Sequence, residues 1–247
     1  MIRLATEADF PTKADNEVLV RIVGLKRAYG INASFIRYYT DGEGSLLSVM
    51  DGCGVLHCPQ TITDEWIVFL VMNPDIVHLH CSANTGKVLL NTGNWHGRVG
   101  DVLRFCGETP QAPMDICETP YLPLVYALLQ AQFEGISPFN AWYPDVSHRI
   151  RHECSRIACV INDDKVVSTA MTVAETKDAC LLGQVATDPA FRRRGLAGKC
   201  INSLLSRCKG KSLYILPANE NAYRLYEKLG FRPCDSWAEL EKTGRNP

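Results

Sequence analysis

The chain has 247 residues, 46% hydrophobic and 21% charged, with a formal net charge of −1 at pH 7. These values exclude an intrinsically disordered chain and give no basis for general attraction to nucleic acid or a membrane surface. The charge is unevenly spread: residues 1–120 carry 9 Lys+Arg against 14 Asp+Glu, and residues 121–247 carry 17 against 13.

No apolar run approaches the ~20 residues a membrane helix needs. The N-terminus lacks a continuous apolar core with a cleavage pattern, so secretion is not indicated and a cytoplasmic location is expected. The eleven cysteines are scattered, odd in number and without a Cys-x-x-Cys pair. In such a chain they read as reduced, packed thiols.

Asp15-Asn16 can cap a helix whose apolar face is Val18, Leu19, Ile22, Leu25 and Tyr29, ended by Gly30. Strands are expected at 34–40 and 45–50, joined by the hairpin signal Asp41-Gly42-Glu43-Gly44. Further strands are expected at 53–57, 65–71, 77–81 and 100–106. From Gly107 to Leu122 prolines sit among polar residues, which places a linker at 109–123 between domains 1–108 and 124–247.

The second half opens with an apolar helix over 124–133. An aromatic and basic segment follows over 139–153, helical from about Asp145. A hairpin over 155–162 and 166–174 turns at Asp163-Asp164-Lys165, and a strand over 180–187 follows. After it, Leu196, Cys200, Ile201, Leu204, Leu205 and Cys208 share one helical face. A short strand at 213–216 precedes a helix from the cap residue Asn219 to Leu229, ended by Gly230. A strand over 231–240 closes the sheet. Both halves open with a helix and a hairpin, a sign of duplication.

The stretch between the strand at 180–187 and the helix at 196–208 carries the chemistry. Asp188-Pro189 stops the strand, and Arg192, Arg193, Arg194 and Gly195 form a turn that opens the helix. Unpaired backbone N–H groups at the positive end of a helix dipole suit a phosphate, and three arginines reinforce them. A pyrophosphate-bearing ligand is the expectation, against the plainer reading of a solvated basic turn.

Two stretches together resemble the GNAT acyl-CoA-dependent N-acetyltransferases. Arg192-Arg-Arg-Gly195-Leu196-Ala197 is similar to that family's Gln/Arg-x-x-Gly-x-Gly/Ala motif. Asn219, Ala222, Leu225, Tyr226, Gly230 and Phe231 are similar to its Asn-x-x-Ala-x-x-Leu-Tyr…Gly-Phe pattern. The resemblance covers roughly residues 135–240 and implies an α+β fold, a mostly antiparallel sheet flanked by helices. Two such domains in tandem are implied, the first degenerate and without a CoA turn. It implies acetyl-CoA (CoA) as cosubstrate, no metal, and N-acetyl transfer to a small-molecule or peptide amine. No nucleic-acid or membrane partner is expected, and a homodimer is compatible with the sequence.

What the resemblance implies for single residues follows from the motif positions. The amides of residues 192–197 would hold the pyrophosphate, and main-chain groups of Val185, Ala186 and Thr187 would meet the pantetheine. Tyr226 would protonate the departing thiolate, and Asn219 would help position a ligand. Tyr226 as core and Asn219 as a plain helix cap are the alternatives. No general base stands out. Gln184 takes no proton at neutral pH, Glu175 ends a neighbouring strand, and His148 and His152 lie in the segment that tends to line the acceptor site. The missing base keeps open a lapsed acyl-CoA-binding sensor or scaffold. His148/His152 have the helical spacing of a metal pair but no third ligand follows. His78-x-His80-Cys81 alternates as a strand should, with metal binding the lesser alternative, and no motif supports Cys53 or Cys58 as a nucleophile.

Overall fold

The computed structural model describes residues 1–244, so the last three residues of the expected domain 124–247 lie outside the described residues. In chain order it begins with β1 (Arg3–Leu4), α1 (Glu17–Tyr29), β2 (Ile36–Thr40), β3 (Leu46–Met50) and β4 (Cys53–His57). Then come α2 (Asp64–Met72), β5 (His78–Ser82), α3 (Ala83–Asn91) and β6 (Trp95–Phe105). They are followed by α4 (Leu122–Gln132), α5 (Phe139–Arg151), β7 (Ile157–Asn162), β8 (Lys165–Glu175) and β9 (Ala179–Thr187). The chain ends with α6 (Leu196–Arg207), β10 (Ser212–Ile215), α7 (Glu220–Lys228) and β11 (Phe231–Lys242). Among the described residues no helix is long and apolar enough to cross a membrane.

Capping explains several boundaries. Asn16 Oδ1 accepts from Leu19 N at 3.0 Å to start α1, and Gly30 ends it at φ 77°. The strand expected at 65–71 is instead helix α2. Its run Trp-Ile-Val-Phe-Leu-Val is too uniformly apolar for periodicity to separate helix from strand. Local chemistry decides it: the Thr63 side chain accepts from Trp66 N, and Asp64 and Glu65 occupy the first turn. Trp66 and Leu70, one turn apart, are buried, while Val68 and Met72 are exposed. Helix α3 stands where no element was expected, capped by Ser82. β6 starts five residues before the expected 100, and α5 is helical from Phe139 rather than Asp145.

The chain divides into two compact units, Met1–Val102 with the chain from Pro233 on, and Leu103–Arg232. The division differs from the expected one at both ends. The stretch 109–123 lies inside the second unit, pinned there by paired backbone bonds between Cys117 and Cys159 (2.8 and 2.9 Å) and by Lys199 Nζ on Asp115. β11 gives only Phe231 and Arg232 to the second unit, and its remainder belongs to the first.

In the first unit the strand order is β1-β2-β3-β4-β5-β11-β6. Its pairings are antiparallel at β1/β2, β2/β3, β3/β4 and β5/β11, and parallel at β4/β5. Leu47, Leu56, Trp66, Leu70, Ile76, Leu79 and Leu89 form its core. Fully burying such a side chain is worth about 1.5–3 kcal/mol. Trp66 Nε1 donates to Asp41 Oδ2 at 2.8 Å, which ties α2 to the β2–β3 turn.

In the second unit the end of β6 is followed by β10, β9, β8 and β7. The β9/β10 pair is parallel, and the β6/β10, β8/β9 and β7/β8 pairs are antiparallel. α6 packs on β7 and β8 through Cys200, Ile201, Leu204 and Leu205. A separate apolar cluster sets Val125 and Leu129 of α4 and Trp142 and Val146 of α5 against Ile157 and Met171.

Candidate active site

The site lies within the second unit and starts from a mismatch in strand length. β9 pairs with β10 in parallel from Ala179↔Ser212 to Leu182↔Ile215, and there β10 ends. β9 continues through Gly183 to Thr187 with β8 alone beside it, as in the pairs Thr169↔Ala186 and Ser168↔Thr187. Its other edge is left without a strand, and an extended ligand can add to such an edge.

A β-bulge marks where the open edge begins. Met171 pairs with Gly183 and Thr169 with Ala186, so Gln184 and Val185 together oppose Ala170. Gln184 adopts φ 49°, a left-handed conformation that is unfavourable for a side chain of this type. Gly183 is required beside it, because a Cβ there would meet Val173 Cγ1 at 2.9 Å. The buried Gln184 Oε1 has no hydrogen-bond partner among the described residues.

The turn after β9 is fastened by its own side chains. Asp188 Oδ1 accepts from Ala190 N at 2.8 Å. Arg192 donates from Nε to Thr187 O at 3.2 Å and from Nη2 to Gln132 Oε1 at 2.6 Å. Arg194 lies over the Phe191 ring at 5.0 Å and donates to Ala190 O. Arg193 and Gly195 are both left-handed, at φ 61° and 75°. Gly195 caps α6, and Lys199 N bonds Gly195 O at 3.1 Å. The amides before Lys199 are the unpaired N–H groups of a helix start, suited to an anion.

Two cavities meet around this framework. One of about 930 Å³ follows the turn and the start of α6, lined by Arg192, Arg193, Gly195, Leu196 and Ala197. Another of about 290 Å³ is lined by Gln132, Phe133, Gly183, Gln184 and Asn219. Val185, Ala186, Thr187, Arg192 and Tyr226 line both. Tyr226 is 5% exposed, and its hydroxyl has no hydrogen-bond partner among the described residues. Burial pushes the phenol up to about 12, so it keeps its proton at neutral pH. Asn219 Oδ1 accepts from Ala222 N at 3.0 Å, which makes Asn219 the cap of α7 as well as a lining residue. Of the residues singled out for ligand binding, Arg194 lines neither cavity.

The base candidates are not brought to these cavities. Glu175 is fully buried and salt-bridged to Arg156 at 3.1 Å and Lys211 at 2.7 Å. Burial pushes its carboxyl up, but the Arg156 and Lys211 contacts outweigh this and hold it below its ordinary value. His148 and His152 stack on each other at 4.0 Å on α5 and line neither cavity. Glu175, Cys180 and Cys208 lie close enough together to share a metal ion. Arg156 and Lys211 already hold that carboxylate, and their charge opposes a cation there. In the first unit burial pushes the Cys58 thiol up to about 11, which disfavours the nucleophilic thiolate. Gln132, Phe133, Gly183 and the bulge that starts at Gln184 enter the site without a sequence signal of their own, apart from the glycine.

An edge open to an extended ligand, ending in a turn suited to an anion, is a framework that fits a long molecule carrying a phosphate group. The model of the acetyltransferase (GNAT) family matches residues 122–231. Residues 122–231 are a GNAT acetyltransferase domain, and that family implies acyl-CoA use.

No curated protein matches the chain. Among solved structures, a GCN5-related N-acetyltransferase from Kribbella flavida is similar at 17% identity and a TM-score of 0.63, over 94% of this chain and 98% of that one. A GCN5-related N-acetyltransferase from Sphaerobacter thermophilus is similar at 17% identity and 0.58, over 100% and 97%. A tandem GNAT protein from the clavulanic acid biosynthesis pathway is similar at 13% identity and 0.56, over 99% and 94%. At these identities the likeness is one of fold: α+β, mostly antiparallel and GNAT-like, with a tandem GNAT protein matching nearly the whole chain.

The first unit repeats part of the plan without the site. Its parallel pair β4/β5 runs to Leu56↔Cys81, and only His57 of β4 extends beyond. The connection His57-Cys-Pro-Gln-Thr-Ile-Thr63 into α2 contains neither glycine nor arginine. An open edge and a left-handed anion turn are therefore both missing from this connection.

Proposed function

We propose that the second unit transfers an acetyl, or a longer acyl, group from acyl-CoA to a primary amine. The observation that carries the reading is that Val185–Thr187 on the open edge of β9 and Tyr226 line both cavities, the larger of which the Gly195 turn also lines. Acyl-CoA supplies the activated thioester, and the larger cavity has volume and N–H donors suited to its pyrophosphate end.

The chain's own residues have separable tasks. Backbone N–H groups at Leu196–Gly198 and the Arg192 and Arg193 charges hold phosphate oxygens. Main-chain groups of Val185–Thr187 pair with the extended amide arm. A main-chain N–H on the same segment polarises the reacting carbonyl. Tyr226 holds a proton at its hydroxyl and gives it to the departing sulfur. Gln184 takes no proton at neutral pH, so the amine arrives neutral and water carries its proton away.

The test mixes purified protein with acetyl-CoA and a panel of amines and follows free thiol. Amine-dependent thiol release is expected. Tight acetyl-CoA binding with no turnover on any amine would favour a lapsed sensor. Calorimetry is expected to give one acetyl-CoA per chain, because the first unit lacks the open edge and the turn. Two per chain would overturn that assignment.

A further inference from the structure

The first unit contains a cavity of about 540 Å³ that the acyl-transfer reading leaves unused. It sits on the polar face of the sheet. Two rungs cross β4, β5 and β11 there: Val55–His80–Glu239 and Cys53–His78–Glu241. Residues alternating with these, Leu56, Leu79, Cys81, Ala238 and Leu240, turn into the core on the opposite face. Side chains of β6 extend the rungs, with Arg98 on Glu239 at 2.7 Å and His96 near Glu241 at 3.5 Å.

Helix α1 packs against β3, β4 and β5 and contributes a buried triad. Glu17 is 2% exposed, accepts from Arg21 Nε one turn along, and contacts His80 Nε2 at 2.9 Å. Burial pushes its carboxyl up, yet the Arg21 charge and the His80 hydrogen bond outweigh this and hold it at about 2. An ionised Glu17 makes His80 Nε2 the donor and leaves Nδ1 as the second polar atom of that ring. The His80 side chain is only 10% exposed, and Nδ1 has no partner among the described residues. The terminal nitrogens of Arg21 likewise have no partner among the described residues, and both side chains line the cavity.

A buried ion group of this kind loses part of its Coulomb gain to desolvation. Its geometric effect is to hold a guanidinium fork and an imidazole edge in fixed positions at a concave surface. Both acidic lining residues already face a basic side chain, Glu239 the Arg98 guanidinium and Glu241 the His96 ring. Val55 supplies apolar wall.

We propose that this cavity binds a small metabolite through an oxyanion, a carboxylate or a phosphate monoester, gripped by the Arg21 fork beside the His80 ring. The proposal stands independently of acyl transfer. A guanidinium fork matches either anion bidentately, whereas an ammonium does not.

The experiment follows histidine ring signals by NMR in the full chain, titrated separately with succinate and with inorganic phosphate. Saturable shifts of the His80 and His78 rings are expected with one of the two. Succinate alone would identify a carboxylate site, and phosphate alone a phosphate site. Arg21→Lys keeps the charge but loses the fork, and should weaken binding at least tenfold. Cys53→Trp fills the cavity from its wall without touching Glu17, Arg21 or His80, and should do the same with the fold intact. No saturable shift with either anion, or unchanged affinity in Cys53→Trp, overturns the proposal.

Discussion

The 2.6 Å bond from Arg192 Nη2 to Gln132 Oε1 joins the end of α4 to the turn that opens α6. The same guanidinium reaches Thr187 O, so its charge is fixed beside the anion site rather than free to swing. Gln132→Ala should release the arginine and raise the KM for acetyl-CoA about fivefold, the worth of roughly 1 kcal/mol for one hydrogen bond. Turnover at saturation should change little. Steady-state kinetics at varied acetyl-CoA check this, and an unchanged KM would show that the tether is incidental.

Gly195 is left-handed at φ 75°, and a Cβ added there would meet nothing within 4 Å. Gly195→Asp is therefore strained but not blocked, and aspartate tolerates this region better than most residues. The new carboxylate would stand among the amides meant for phosphate. Acetyl-CoA affinity should fall by at least tenfold by calorimetry, with the melting temperature lowered by only a few degrees. A loss of fold with it would instead mark Gly195 as structural.

The elements around the site were legible because their signals are local. Asn219 caps α7, Gly230 follows it, and the apolar face from Leu196 to Leu205 repeats at helical spacing. The first unit was less legible. The run from Trp66 to Val71 has no polar residue to set its period, so only the Thr63 cap distinguishes helix from strand. The division of the chain was hidden for another reason. Proline-rich composition at 109–123 resembles a linker, but Cys117 finds a backbone partner in Cys159, a pairing no local pattern records. Gln184 is the clearest case within the site. Its left-handed backbone comes from the mismatch between β8 and β9, not from its own residue type.

Glu175 is a test of what the chain does without a base. Both partners hold it, and it borders neither cavity. Glu175→Gln should destabilise the protein by about 3 kcal/mol or more, because Arg156 and Lys211 lose their buried counter-charge. The pH dependence of kcat should keep its shape. A loss of the acidic limb in this variant would mean that Glu175 takes the proton after all.

Glu17 gives the first unit an acid-sensitive anchor. Its folded pKa of about 2 lies below the ordinary 4.5, so the unfolded chain binds the proton more readily. The stabilisation is present above pH 4.5 and is lost as the pH falls toward 2, on the order of 3 kcal/mol in all. Urea unfolding at pH 7, 4 and 3 should show the gap between the wild type and Glu17→Gln closing with acidification. A constant gap would mean that the carboxylate is not ion-paired in solution.

Tyr226 carries the chemical claim. A buried phenol pushed up to about 12 stays protonated across the whole neutral and mildly alkaline range. It should therefore impose no alkaline fall in kcat below about pH 11, and any fall seen earlier belongs to another group. Tyr226→Phe keeps the ring on the apolar face of α7 and removes only the proton donor. If the hydroxyl protonates the departing sulfur, kcat should drop by about 10²-fold or more with little change in the KM for acetyl-CoA. An activated thioester whose thiol leaves without a proton should recover most of the rate in the variant. Equal loss with both donors would assign the defect to packing, and no loss would remove Tyr226 from the chemistry.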